Sequence, residues 1–113
     1  MNGRREVRLW VAQRATAVVL ALCVMVHLAT MVYAVRGGLT AADILGRTRG
    51  SIALGTFYSV FVVAAAVHGA IGLRGIAAEW LGWRGNGAEI ATVLAGLVLS
   101  IAGLRAVVAV VIG

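Results

Sequence analysis

The hydrophobic positions of this chain gather into three long runs, with little of the alternation that marks a half-buried strand or a surface helix. The first run extends from Ala15 to Val35 between Arg14 and Arg36. The second extends from about Ile52 to Leu73 between Arg49 and Arg74. The third begins near Ile90 and continues to Ile112, interrupted only by Arg105. Each is close to the roughly 20 residues that a helix needs to cross hydrocarbon. Backbone polar groups in lipid must be satisfied within their own segment, so each run is expected to be helical. The pattern predicts an all-α, integral membrane three-helix bundle forming one domain over residues 1–113, with helices at about 9–35, 52–76 and 88–112. A signal peptide does not fit the first run, which is too long and lacks a convincing cleavage site.

Two connections separate the runs. Gly37-Gly38 stops the first helix, and Thr40 is placed to cap a short interfacial turn running toward Leu45. The stretch from Arg74 to Glu89 carries Glu79, Trp80, Trp83 and Arg84, loosened by Gly82, Gly85 and Gly87. There is no repeat and no low-complexity tract.

Composition agrees with the pattern. A chain of 113 residues that is 62% hydrophobic and 12% charged cannot hide that much apolar surface as a small soluble domain. The formal charge of +6 comes from ten basic residues, all Arg, against four acidic ones. These arginines fall mainly at the ends of the apolar runs and form no stripe with stacking aromatics, which excludes a nucleic-acid partner. Arg4, Arg5, Arg8, Arg14, Arg74 and Arg84 lie on one side of the predicted spans, and Arg36, Arg47 and Arg49 on the other. The positive-inside rule then puts the N-terminus in the cytoplasm and the C-terminus outside. All three tryptophans (Trp10, Trp80, Trp83) fall near the cytoplasmic interface. The exclusive use of Arg and the lack of a presequence point to a multi-pass protein of a bacterial plasma (inner) membrane. The single Cys23 lies within an apolar run and forms no intrachain disulfide.

Chemistry has few places to reside. No nucleophile triad, carboxylate pair, cysteine cluster or phosphate loop can be assembled from these residues. The polar groups that the bilayer makes expensive are His27, His68 and Arg105, with Arg14 and Arg74 at the edges, and intramembrane ionisable groups are functional candidates by default. His68 shares or flanks a helical face with Ala64, Ala65, Gly72 and Gly75. A groove of small residues holding an imidazole suits a porphyrin, whose flat ring must approach the backbone while the axial nitrogen reaches iron. The same face equally suits helix packing, with His68 hydrogen-bonded to a neighbour. His27 has bulkier neighbours in Cys23, Val24, Thr30 and Met31, which favours a cross-helix hydrogen bond. Arg105 suits either a buried anion such as a haem propionate or snorkelling to the outer interface.

Depth bears on whether the histidines share one iron. With Arg14 and Arg74 marking one boundary, His27 lies roughly 20 Å from it and His68 roughly 9 Å at 1.5 Å per residue. Axial nitrogens on one iron are only about 4 Å apart. The two histidines are therefore expected to serve different irons, each with a ligand from another chain.

The stretch Trp10-Val11-Ala12-Gln13-Arg14-Ala15-Thr16-Ala17-Val18-Val19-Leu20, followed by His27-Leu28, resembles the first helix of succinate dehydrogenase and fumarate reductase membrane anchors. His68-Gly69-Ala70-Ile71-Gly72-Leu73-Arg74, ending in Glu79-Trp80, resembles the end of their second helix. The resemblance covers about two-thirds of the chain; the third helix matches only in hydropathy. It implies a cytochrome b anchor without dicarboxylate chemistry of its own, partnered by an iron–sulfur subunit, a flavoprotein subunit and a second anchor chain (a copy or a homologue). It implies haem b and quinone as cofactors. His68 would be an axial ligand of haem b, with Arg14 and Arg74 near propionates or the quinone pocket. Trp80 takes the place of a quinone-contacting Tyr, and Glu79 that of the usual Asp. Trp10 stands where the larger anchor has a Ser, a departure that touches the quinone pocket. Diheme anchors of the family carry histidines in paired helices, and His27 with His68 resembles the first half of that pattern. The competing expectation is a cofactor-free assembly or interaction subunit, whose histidines only join helices.

Overall fold

The computed structural model describes residues 3–113. Four helices follow in order: α1 (Gly3–Arg36), α2 (Ala41–Thr48), α3 (Ile52–Trp80) and α4 (Asn86–Val111). Three of them are long and apolar enough to cross a membrane. The described residues form no strand. The all-helical, three-span architecture predicted from the hydrophobic runs is thus present. The fourth helix, α2, is the short interfacial segment.

The helices outrun the apolar pattern where charged residues extend them. α1 begins at Gly3 and α3 continues to Trp80. At 1.5 Å per residue, 34 residues make about 51 Å, well beyond the ~30 Å of hydrocarbon. The first turns of α1, bearing Arg4, Arg5, Glu6 and Arg8, therefore stand clear of the apolar slab.

α3 is the central helix, packed against α1 on one side and α4 on the other. Only small or slender side chains are buried: Cys23, Ala64, Ala66, Ala77, Ala88, Thr92 and Val107. The large ones, such as Leu22, Met25, Leu97, Val98 and Ile101, face outward. This inversion of the soluble pattern is what lipid as solvent requires, because lipid exerts no hydrophobic drive on helix seams and close backbone approach must hold them instead. The α3–α4 seam shows it directly. A Cβ on Gly96 would lie 3.1 Å from the Ala70 Cβ, and one on Gly103 would overlap Val62.

The helix ends are closed by local chemistry. α1 ends in a Schellman turn, in which Leu39 N–H donates to Ala34 C=O at 3.0 Å and Gly38 N–H to Val35 C=O at 3.2 Å. Gly38 takes φ +65° there, the left-handed conformation that glycine adopts at little cost. Thr40 and Asp43 then form a reciprocal capping box at the start of α2. The turn after α2 crosses to the far end of α4. Thr48 Oγ1 donates to Val110 C=O at 2.7 Å, and Gly50 N–H to Val111 C=O at 2.7 Å. Two terminal carbonyls of α4 that would otherwise be orphaned beside hydrocarbon are satisfied in this way.

Candidate functional site: the two histidines of the α1–α3 seam

One face of α1, through Gln13, Thr16, Cys23 and His27, is turned to α3. Three cross-helix pairs fix the antiparallel register. Gln13 lies against Gly72, whose added Cβ would sit 3.6 Å from the amide nitrogen. Thr16 Oγ1 lies 3.2 Å from His68 Nδ1. His27 Nδ1 lies 3.3 Å from the Tyr58 hydroxyl.

The two imidazoles occupy different levels. Thr16 and His27 are eleven residues apart on α1, and Tyr58 and His68 ten apart on α3, an axial offset of about 15 Å. The offset is larger than the depth estimate from sequence, because Arg14 and Arg74 do not mark one level: Gln13, not Arg14, is opposite Gly72. Two nitrogens that must meet at about 4 Å across one iron cannot come from this pair.

Their surroundings also differ. His68 is half-buried, with Nδ1 directed to Thr16 and Nε2 making no hydrogen bond among the described residues. Thr16 Oγ1 also reaches the Ala12 carbonyl at 2.7 Å and that of Gln13 at 3.1 Å. The Gln13 side-chain oxygen is buried and has no hydrogen-bond partner among the described residues. His27 instead meets the rings of Tyr58 and Phe61 edge-on, at centroid distances of 5.8 and 5.7 Å. Beside it opens a cavity of about 550 Å³ lined by Met31, Tyr33, Arg47, Thr48 and Tyr58 among others, within the ~300–1,000 Å³ range of small-molecule sites.

The small residues around His68 divide between seams. Ala64 is buried, and Gly72 receives Gln13 from α1. Ala65 is exposed, and Gly75 has open space where a Cβ would be. Part of the small-residue face therefore joins helices within the chain, and part stays open beside His68.

The arginines separate into three settings. Arg74 Nε donates to Glu89 at 2.6 Å and its Nη2 to Glu6 at 2.9 Å, while Arg5 donates to the other oxygen of Glu89 at 2.5 Å. This network binds the ends of α1, α3 and α4. Arg14 is exposed and stacks over Trp10 at 5.1 Å, one turn before it on α1. Arg105 is exposed and has no hydrogen bond among the described residues; two residues from both Gly103 and Val107, it lies on the side of α4 roughly opposite α3. Trp80, 82% exposed, lies at the end of α3, eight residues or about 12 Å beyond the level of Gly72 and Gln13. No contact among the described residues brings together Arg14, Arg74 and Trp80, expected at one quinone pocket.

Sequence reasoning missed Thr16, Gln13 and Tyr58 as partners, and Glu6 with Glu89 as the acceptors of Arg74. The signal for the first group was the spacing of Gln13, Thr16 and His27 on one α1 face. For the second it was opposite charges near the ends of the three long helices.

The sequence model of the succinate dehydrogenase/fumarate reductase transmembrane subunit matches residues 2–104, nearly the whole chain and both histidine helices. The chain belongs to this family. No curated protein and no solved structure matches it. Membership in the succinate dehydrogenase/fumarate reductase family carries association with the subunits of such a complex, and the three spans make this chain part of its membrane portion.

Proposed function

We propose that this subunit is the haem b-carrying anchor of its complex and helps form the site where quinone receives electrons from an iron–sulfur subunit. The observation that carries the reading is His68. It is an imidazole at membrane depth, held through Nδ1 by a neighbouring helix and with Nε2 unengaged among the described residues. Metal-ligating histidines characteristically place their second ring nitrogen against an oxygen in this manner. No group of three or more protein metal ligands occurs among the described residues, and a haem needs none, since the porphyrin supplies the equatorial nitrogens and the protein only axial ones. The donor set fits a haem to which this chain would contribute His68, with a further ligand supplied by a partner anchor, copy or homologue. When bound, haem b supplies a one-electron carrier whose potential follows its axial ligands and burial.

The chain's own residues then have distinct tasks. His68 would hold the haem from α3, and Gly75 leaves its side of that helix open to it. Arg14, which has no carboxylate partner among the described residues, offers a cation to a propionate or a quinone oxygen. Trp80 presents an indole N–H to quinone at a boundary completed by other subunits, while Arg74 braces the helices beneath. His27, with its adjoining cavity, is the ligand of a second haem in the diheme form. Arg105 faces away from α3 toward lipid or a partner anchor and meets an anion there. Orientation follows the arginine distribution, N-terminus in the cytoplasm, so that the flavoprotein and iron–sulfur subunits dock at the end carrying Arg74, Trp80 and Trp83. A bacterial inner membrane suits this layout.

A dithionite-reduced minus oxidised spectrum of the purified complex tests the reading. The expected result is a b-type band in the wild type whose His68-dependent part disappears in His68→Ala. A second reading draws on the in-chain hydrogen bonds of both imidazoles: a cofactor-free subunit whose histidines join α1 to α3. A wild-type complex without haem supports that reading and overturns the first.

A further inference from the structure

Thr16 Oγ1 has three acceptor-capable neighbours: the carbonyl oxygens of Ala12 at 2.7 Å and Gln13 at 3.1 Å, and His68 Nδ1 at 3.2 Å. A hydroxyl has one proton and two lone pairs, whereas a carbonyl oxygen only accepts. The proton goes to the Ala12 carbonyl, the nearest of the three and a group that can only accept. Thr16 then meets His68 with a lone pair, and the hydrogen between them belongs to Nδ1. An imidazole competent to bind metal is neutral and carries a single ring proton. With that proton on Nδ1, the lone pair is on Nε2, the nitrogen that makes no hydrogen bond among the described residues.

We propose that Thr16 is a positioning residue that locks His68 in its Nδ1–H form, presenting an unprotonated Nε2 as an axial ligand. The inference rests on the haem reading above and adds the reason why this histidine is ready to ligate. The lock has two links, Nδ1–H to the Thr16 hydroxyl and the hydroxyl to the Ala12 carbonyl, and the second gives the first its direction. His27 is not locked in this way. Its partner is the Tyr58 phenol, which makes no other hydrogen bond among the described residues. The phenol can either donate to Nδ1 or accept from Nδ1–H, and His27 is left with access to both ring forms.

Three consequences follow from removing the hydroxyl while keeping the β-branched shape, as in Thr16→Val. The preferred ring form is lost, so part of the His68 population carries its proton on Nε2 and cannot ligate. Outer-shell partners of metal-bound histidines are worth about 10- to 100-fold in metal affinity, and a loss in this range is expected for haem. The haem that stays bound is expected at a higher reduction potential, since a ring whose N–H has lost its acceptor donates less charge to iron. Thr16→Ser keeps the hydroxyl and is expected to restore both properties.

The test compares the wild type, Thr16→Val and Thr16→Ser in the assembled complex by haem content and redox titration. Nitrogen-15 NMR of the histidine-labelled full chain in lipid, before haem is added, reads the ring form directly. Only two histidines exist, and His27→Asn assigns their signals. Protonated Nδ1 on His68 in the wild type, mixed forms in Thr16→Val and recovery in Thr16→Ser support the lock. Wild-type haem affinity and potential in Thr16→Val, or an Nε2–H His68 in the wild type, overturn it. A purely packing role would lower stability in Thr16→Val without moving the ring populations or the potential, and that outcome also overturns it. Absence of haem from the wild-type complex would defeat the haem reading, while the NMR result would still decide the ring form.

Discussion

Arg74 Nε donates to Glu89 Oε1 at 2.6 Å, and this bond joins α3 to α4 at the end of the bundle where α1 begins. Both side chains are about four-fifths covered, which lifts the pair above an ordinary surface salt bridge. The same guanidinium reaches Glu6 on α1, and Arg5 reaches the remaining oxygen of Glu89. Glu89→Gln removes the charge from both arginine bonds and is expected to cost about 1–3 kcal/mol, measured as earlier thermal unfolding of the purified complex. Glu6→Gln is expected to cost less, because Glu6 is more exposed. The effects of Arg74→Gln and Glu89→Gln should combine less than additively, as for residues of one network. A stable Glu89→Gln beside a damaged Arg74→Gln would instead assign the guanidinium to a bound ligand.

The α3–α4 seam makes a separate demand. Gly103 packs so closely on Val62 that even a methyl group would overlap it, whereas a methyl group on Gly96 would require Ala70 to give way by only a few tenths of an ångström. Gly103→Ala is therefore expected to destabilise by about 1–3 kcal/mol, the usual cost of overpacking, and Gly96→Ala by less. Pairing Gly103→Ala with Val62→Ala should recover part of the loss, because the second change removes the methyl groups that the first would strike. Equal stability of wild type and Gly103→Ala, read by thermal unfolding in detergent, would contradict the seam.

The legible part of this protein was the part that the bilayer dictates. Hydrophobic runs specify spans because lipid leaves the backbone no other solution, and Gly37-Gly38 with Thr40 carries its own local geometry. Arg74 was legible as important but not in its role, since that depends on which side chains three separate helices bring to one end. Thr16 was visible inside a recognised motif, yet its bond to His68 depends on the antiparallel register of α1 and α3. Large apolar side chains look alike whether they face lipid or a neighbour, so the pattern of hydrophobicity cannot set that register. The fine spacing of Gly, Ala, Gln and Thr does.

The capping box of α2 carries a pH dependence. The Thr40 backbone N–H at 2.8 Å and its hydroxyl beside the Asp43 carboxylate hold the Asp43 pKa below its ordinary value, with a smaller contribution from Arg47. A carboxylate whose folded pKa is depressed stabilises the fold above its unfolded pKa, and the contribution is lost as pH falls through the folded value. The start of α2 is therefore expected to be intact at neutral pH and to fray only in acid below the usual carboxylate range. Backbone chemical shifts of residues 41–44 against pH would record it. Asp43→Asn should remove the acid transition, and a transition that persists in that variant would place its origin elsewhere.

His27 and His68 are expected to respond independently to mutation because about 15 Å of helix separates them. His27→Ala removes an imidazole that meets only Tyr58 and Phe61 among the aromatic rings and leaves the Thr16–His68 pair untouched. The haem that depends on His68 should stay bound at an unchanged potential. What happens to total haem then separates two arrangements of the complex. If two such chains hold two haems between them, one through each pair of histidines, haem content should fall by half in His27→Ala. If His27 only braces α1 against α3, haem content should stay at the wild-type level and only thermal stability should drop, with Tyr58→Phe producing a similar but smaller drop. Loss of all haem in His27→Ala would contradict both arrangements, because it would couple two sites that the register of α1 and α3 keeps apart.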